Sequence, residues 1–306
     1  VSLTQASGAA VATGTATKVF TLVPKPGTND GNPEGVAWDP RSRSFFVGST
    51  GTGTIYRGTL RDSTLRPFIT PSTAPPADSA VGMKVSRGKL FVAGGATGSI
   101  YVYKIRTGAL LARFETGAGG FLNDRVVTHK GDVYVTDSFR PMLWHLTPAM
   151  VKARIGTPQS IDVGPEIVYQ GGGAFNLNGI VARRGGRELI VVNTVSKSLF
   201  RIDIDRHHPA ARTITKIGLP APGLAGDGLL IDRGRLLVVT GSPAAVTFLK
   251  LSRNDARARI DKVVTDPSLR GPSTIARAKS RYLVVNADFG PNRTPFTVSG
   301  LPRGHR

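Results

Sequence analysis

LNDRVVTHKGDVYVTDSFRPMLWHL, residues 122–146, and LNGIVARRGGRELIVVNTVSKSLFRIDI, residues 177–204, are two copies of one pattern. Each opens on Leu-Asn, runs through a short alternating strand, turns at basic or glycine residues, and continues into a strongly apolar strand and then a third. β-Branched and aromatic residues dominate VYVTDS and LIVVNT, which marks strand rather than helix. The same plan recurs in PEGVAWDPRSRSFFVGSTGTGTIYRGTL (33–60), AVGMKVSRGKLFVAGGATGSIYVYKI (80–105), GDGLLIDRGRLLVVTGSPAAVTFLKL (226–251) and, shortened, in PSTIARAKSRYLVVNADFG (272–290), making six units.

The second residues of the units are Glu34, Val81, Asn123, Asn178, Asp227 and Ser273, at intervals of 47, 42, 55, 49 and 46. Intervals of this size match one four-stranded propeller blade of about 40–50 residues each. The expected fold is all-β: a six-bladed β-propeller with four-stranded blades around a central channel. The sixth unit is short of strands and KVFTLVP (18–24) precedes the first, so this N-terminal strand is expected to complete the last blade and close the ring, removing an exposed edge. Residues 1–17 then form a flexible lead, 18–300 a single propeller domain, and 301–306 a basic tail. TPAMVKARIG (147–156) is the one stretch with a helical period, read as a short turn of helix in an inserted loop.

Composition agrees. The 306 residues would ordinarily suggest two domains, but repetitive β chains exceed that range, and 37 glycines with 21 prolines supply the turns between many short strands. Aliphatic runs reach only four or five residues, as in LIVV, far below the roughly 18 a membrane span needs. No cysteine is present, which excludes disulfides, thiolate metal sites and cysteine nucleophiles. The net charge of +20 favours non-specific anionic surfaces, yet the basic residues are scattered and aromatics are 7%, so no specific nucleic-acid partner is expected. The small Ser/Thr/Ala/Gly-rich start, SLTQASGAAVATGTAT, looks like the tail left by a cleaved secretory signal and points to an extracellular protein. A closed ring has no obligatory partner, and a monomer is expected.

In a propeller the innermost strands line the channel, so equivalent residues at their heads form a ring at one mouth. Four members of that ring, Glu34, Asn123, Asn178 and Asp227, offer hard oxygen donors, two carboxylates and two amide carbonyls, of the kinds that bind Ca²⁺ or another divalent cation. Four protein oxygens out of the usual six to eight leave room for water and a substrate oxygen. The competing account is ordinary turn chemistry, since Asn and Asp at strand heads commonly cap turns. The shared register, and Glu34 where a turn former would be expected, favour the metal.

These strand heads, NPEGVAWDP, LNDRVVTHKGDVYVTDS, LNGIVARRGGRELIVVNT and GDGLLIDRGRLLVVTG, resemble those of the gluconolactonase, senescence-marker-protein and strictosidine-synthase-like superfamily, with paraoxonases and diisopropyl-fluorophosphatase-type hydrolases as more distant relatives. The resemblance runs through all six units. It implies a calcium-dependent hydrolase with Glu34, Asn123, Asn178 and Asp227 as metal ligands, a small-molecule lactone or ester substrate, and Asp227 as the base that activates water. Asp124, beside Asn123, is the second candidate for that base, with a turn-capping role as its alternative. The sugar-lactonase branch carries an arginine where this chain has Phe121, in Phe121-Leu122-Asn123-Asp124, which directs expectation from an aldonolactone toward a more hydrophobic ester or lactone, or a polyol-free ligand.

Other residues carry less. His129 and His145 are expected on blade flanks, and His207-His208 in an exposed connection. Asp137, Asn193, Asn286 and Asp288 follow second strands and are expected at the opposite rim, closing turns. The GGG at 171–173 and TGTGT at 50–54 lack the strand-to-helix setting of a phosphate loop. Specificity is expected in loops near 64–80, 109–121 and 148–176. The rival to a hydrolase is a non-catalytic extracellular propeller that binds an anionic polymer, a protein or a small ligand.

Overall fold

The second strand of each unit is apolar on both faces, so it must lie between two other layers. Ser44–Ser49, Val133–Asp137 and Glu188–Asn193 are buried at every position. The outer strand Leu110–Glu115 instead alternates exposed and buried residues, as a strand with one wet face does. A computed structural model describes residues 11–13, 18–25, 31–71, 79–205 and 212–304. His207-His208 lie outside the described residues.

Hydrogen bonding among the described residues forms three four-stranded antiparallel sheets, a five-stranded sheet and an eight-stranded one. The eight-stranded sheet is two four-stranded halves, joined where Lys18–Leu22 runs briefly parallel to Thr64–Ile69. Within each group the strands follow chain order outward from the first, except that the N-terminal strands Lys18–Leu22 and Val11–Thr13 add to the outer edges of the last two groups. The six inner strands are Pro33–Asp39, Met83–Ser86, Leu122–Val127, Leu177–Arg183, Gly226–Asp232 and Pro272–Ala278. Each packs against the next, and the last packs against the first.

Closure depends on the N-terminal strand. Lys18–Leu22 pairs antiparallel with Thr297–Pro302 as the fourth strand of the last group. Its Phe20 is fully buried and meets Phe45 of the first group edge-on, with ring centroids 5.0 Å apart. One apolar cluster contains Phe20, Leu22, Phe45, Val47 and Tyr56 together with Leu283, Val285 and Val298, so the two ends of the chain share a core. Comparable clusters fill the other sheet interfaces, for example Ile190, Val192 and Leu199 against Leu229, Leu236 and Val238.

The turns are legible in local chemistry. Arg87-Gly88 and Arg233-Gly234 each occupy a two-residue hairpin with positive φ at both positions, the backbone a type I′ turn requires. The expected helical turn is Pro148–Ala153; Thr147 caps its start, its hydroxyl accepting from the Met150 amide at 3.2 Å.

Several boundaries shift. Val11–Thr13, inside the stretch read as a flexible lead, runs parallel to Ala258–Thr265 as a fifth strand; the rest of that lead lies outside the described residues. The basic tail read from 301 starts later, because Leu301 is buried opposite Tyr282 and Arg303 is clamped on Asp232 at 2.6 and 2.7 Å. Of the loops expected to set specificity, Thr64–Ile69 and Leu110–Glu115 are outer strands, while the Pro148–Ala153 helix follows the third strand of its sheet and so lies at the end remote from the inner-strand heads. Among the described residues no helix is long and apolar enough to cross a membrane.

Phe20→Ala should cost about 3–5 kcal/mol in reversible denaturant unfolding, as for a large aromatic lost from a packed core. Val19→Ala on the same strand, where the side chain is 40% exposed, should change stability by less than about 0.5 kcal/mol.

Candidate functional site

Five of the six inner strands begin with the same irregularity. Pro33 faces Ser49 but Val36 faces Val47, so the inner strand advances three residues while its partner advances two. The same shift lies between Leu122 and Arg125, Leu177 and Ile180, Gly226 and Leu229, and Pro272 and Ile275. These are β-bulges, which leave a residue unpaired and re-aim its side chain. The re-aimed first residues are Glu34, Asn123, Asn178, Asp227 and Ser273, and Val81 stands just ahead of the sixth inner strand. The sequence register thus becomes a ring of side chains at one end of the channel.

The bulges also draw neighbouring backbones together. A Cβ at Gly35 would stand 2.1 Å from the Val81 carbonyl oxygen, and one at Gly179 would stand 2.3 Å from that of Asp227. No side chain fits there, so the glycine after the ring residue is required by close approach. The third inner strand has Asp124 at that position.

Glu34, Asn123 and Asn178 are buried, and Asp227 is half-buried. Both Glu34 carboxylate oxygens, the amide oxygens of Asn123 and Asn178, and Asp227 Oδ1 are buried without a hydrogen-bond partner. Buried oxygens are almost always satisfied, and five unsatisfied ones on four of the six ring positions form a group that could receive an electropositive guest. The amide nitrogens, by contrast, are held. Asn123 Nδ2 donates to Ser138 Oγ at 3.0 Å, and Asn178 Nδ2 to Thr194 Oγ1 at 3.3 Å. Those hydroxyls donate in turn to Leu177 O and Gly226 O of the next inner strand, each at 2.6 Å. Both amides are thereby turned oxygen-inward, and consecutive sheets are tied at the site. Ser273 and Thr274 hydroxyls donate to the Glu34 carbonyl at 2.8 and 2.6 Å, fixing the backbone that carries the carboxylate.

The electrostatics follow from burial. Desolvation, then the Asp227 and Asp124 charges, push the Glu34 carboxyl well above its ordinary range. Asp227 is pushed up to about 8 by desolvation and by Asp124, offset by a hydrogen bond from Asn178. Asp124 is raised by desolvation too, against the attraction of Lys84 and Arg125. Lys84 and Arg125 are depressed, mainly by burial, with the guanidinium falling to about 10. The channel thus gathers three carboxyls at the mouth with two cations close by. Asp124 does not cap a turn: its Oδ2 accepts from Ile180 N of the adjacent inner strand at 3.3 Å, and its own amide donates to Thr136 Oγ1 at 3.0 Å.

The donor set suits a hard cation. Among the described residues no three His, Cys, Asp or Glu side chains group as ligands, and the two carboxylates and two amide carbonyls here are instead the oxygen ligands Ca²⁺ accepts. His145 takes no part; it is buried within its sheet, stacked on Tyr134 at 4.6 Å and hydrogen-bonded to Asp132 and Gln159.

One expectation is corrected. Asp137, Asn193 and Asn286 face Leu122, Leu177 and Pro272 across antiparallel pairs, so the ends of the second strands lie at the same rim as the site, since the second strand returns to where the first began. They do close turns and loops. Asp137 accepts from the amides of Phe121, Phe139 and Arg140, Asn193 from Ser196 N, and Asn286 from Arg270 N, while Asp288 is paired with Arg293. Sequence reasoning missed Ser138 and Thr194; the available signal was a hydroxyl immediately after the second strand in both Asn-bearing units.

No protein-family model matches the chain, and no curated protein matches it in sequence. Solved structures do. A gluconolactonase from Xanthomonas campestris superposes with a TM-score of 0.63 at 16% identity over 89% of this chain and 86% of that one. Regucalcin from Agrobacterium tumefaciens, a calcium-binding protein, gives 0.63 at 16% over 93% and 97%. Virginiamycin B lyase from Staphylococcus aureus gives 0.60 at 11% over 93% and 98%. At such identities the likeness establishes the fold, a β-propeller of four-stranded sheets.

Raised carboxyl pKa values carry a sign. A carboxyl whose folded pKa exceeds its unfolded value binds more protons when folded, so stability falls as pH rises from the unfolded value near 4 to the folded one. With a chelator present, the protein should unfold more readily at pH 9 than at pH 6. Glu34→Gln, which removes one of the crowded charges, should flatten that dependence and stabilise the protein at pH 9 by roughly 1 kcal/mol or more, read from denaturant midpoints.

Proposed function

We propose that the chain is a six-bladed propeller hydrolase that holds a divalent cation, Ca²⁺ first, at Glu34, Asn123, Asn178 and Asp227, and opens a lactone or related ester. The observation that carries this reading is the set of five unpartnered, buried oxygens on those four side chains. The ring of six inner strands supports the blade number, and the gluconolactonase and calcium-binding neighbours support the chemistry.

When bound, the cation supplies Lewis-acid polarisation of a carbonyl oxygen and charge to balance the developing oxyanion. The protein supplies the rest. Glu34, Asn123 and Asn178 are held beforehand by Ser273 with Thr274, by Ser138 and by Thr194, so little reorganisation of these three accompanies reaction. Asp227 is the least buried of the four and is the base: it takes a proton from water as the water oxygen bonds to the acyl carbon. The acyl C–O bond then breaks, and the proton passes to the leaving alkoxide oxygen. Asp124 raises the proton affinity of Asp227 through its charge, while Lys84 and Arg125 favour its own ionised form and its Oδ2 accepts from Ile180 N.

Chelator-treated protein should lack turnover of a panel of lactones and aryl esters and regain it with Ca²⁺. Asp227→Asn should lower kcat by about 10²- to 10⁴-fold; equal rates would remove Asp227 from the role of base. Because the carboxyls must be deprotonated to ligate, calorimetric Ca²⁺ affinity should rise with pH through about 8, where Asp227 loses its proton. Absence of cation binding at any pH would leave a non-catalytic propeller as the better reading.

A further inference from the structure

Beside the cation site the mouth carries three phenylalanines. Phe121, Phe139 and Phe175 form a closed triangle with ring centroids 5.4, 4.9 and 5.3 Å apart, the Phe121–Phe175 pair edge-on at 87°. Phe121 and Phe139 are half-buried, and Phe175 is 46% exposed. All three come from connections on the rim that holds the inner-strand heads. Val168, on the same connection as Phe175, is 81% exposed.

This cluster is built on the same supports as the ligands. Asp137 Oδ1 accepts from the backbone amides of both Phe121 and Phe139, at 2.9 and 3.1 Å. Phe139 follows Ser138, whose hydroxyl holds the Asn123 amide. Phe175 precedes Asn176, which is buried and donates through Nδ2 to Ser138 O, Gln170 O and Ala174 O. Phe121 and Phe175 therefore stand two and three residues ahead of the ligands Asn123 and Asn178. The cluster also reaches the ring itself: a Cβ at Gly95 would lie 3.1 Å from Val81 Cγ2 and 3.2 Å from the Phe121 ring, so the apolar ring member Val81 neighbours Phe121.

The cation beside these rings is already engaged. Arg140, nearest in sequence, is committed to Asp137, to Thr116 O and Oγ1 and to Ala118 O, and lies over Trp144 at 4.9 Å. The hydroxyls of a polyol would lose water without replacement on the phenyl faces. An alkyl or aryl group would instead cover the partly wet rings and gain by its own desolvation.

Resting on the hydrolase reading above, we propose that Phe121, Phe139 and Phe175 form the subsite for an apolar substituent, and that the substrates are lactones or esters with an alkyl or aryl group on the carbon that carries the ester oxygen rather than sugar lactones. Each buried methylene is worth about three- to fourfold in binding, so kcat/KM should climb by that factor along γ-lactones with 5-alkyl chains from methyl to hexyl. Phe175→Ala, an exposed position that should fold normally, should lower the hexyl-to-methyl ratio about tenfold or more. Leu110→Ala, exposed on a distant outer strand, should leave the ratio as it is. The matching 5-alkyl γ-lactams, which resist hydrolysis, should show the same rise in calorimetric affinity and the same loss in Phe175→Ala.

The two readings fail separately. No lactone turnover, with lactam affinity still rising along the series, would remove the hydrolase and keep the subsite. A flat series in lactam binding, an equal slope in Phe175→Ala, or preference for an aldonolactone would overturn the subsite and leave the cation chemistry standing.

Discussion

The bulge at the head of the inner strands is the constraint on which the rest depends. Inserting one residue there turns the side chain before the glycine toward the channel and brings adjacent backbones so close that a Cβ at Gly35 would lie 2.1 Å from a carbonyl oxygen. Both consequences recur around the ring because the strand is repeated. A pleated strand without the bulge would send neighbouring side chains to opposite faces, and the ring of donors would not form. The fold therefore sets where donors can stand, and the identity of each first bulge residue decides the chemistry. Ser273 occupies such a position, and Val81 the matching place on the strand without a bulge, neither contributing a carboxyl or an amide, so four of the six ring positions make the site.

Burial then converts ordinary residues into a strained electrostatic group. Ser138 and Thr194 each satisfy an amide nitrogen and bind the next sheet, which leaves the amide oxygen no protein partner. Glu34 and Asp227 repel each other in the same space. A neutral protein surface would not tolerate this arrangement, because buried charge without a partner is among the costliest features a fold can carry. A divalent cation would relieve all of it at once, whereas the net charge of +20 is spread over the rest of the chain. Two acids in a chain with twice as many basic as acidic residues carry the site.

Much of the architecture was legible from the spacing of repeated strand heads, because period and alternation survive where individual motifs are weak. The ring positions of Glu34, Asn123, Asn178 and Asp227 followed from register alone. What register could not show was the third dimension. The second strands were taken to end at the far rim, yet antiparallel pairing returns them to the head of the first, which places Asp137, Ser138 and Thr194 beside the site. The pairing of Val11–Thr13 with Ala258–Thr265 was illegible for a different reason: a three-residue parallel strand at a sheet edge has too little pattern to distinguish it from a coil. Arg125, fully buried, has nothing in its sequence setting to distinguish it from the many scattered basic residues.

The position of Asp124 shows how a departure from the repeat can be more informative than the repeat. At Gly35, Gly179 and Gly228 the second bulge residue is glycine because a neighbouring backbone occupies the space. At the third inner strand it is a carboxylate, packed against Gly82 of the strand before it, where a Cβ would stand 2.6 Å from the Asn123 carbonyl oxygen and 2.7 Å from Asp124 Oδ1. The Asp124 carboxyl raises the proton affinities of Glu34 and Asp227 and is itself attracted by Lys84 and Arg125, which sets acids and cations side by side in the interior of an otherwise regular ring. Asp124 is better understood as the element that keeps its neighbours' proton affinities high than as a second base, because its own oxygen is already engaged by the Ile180 amide.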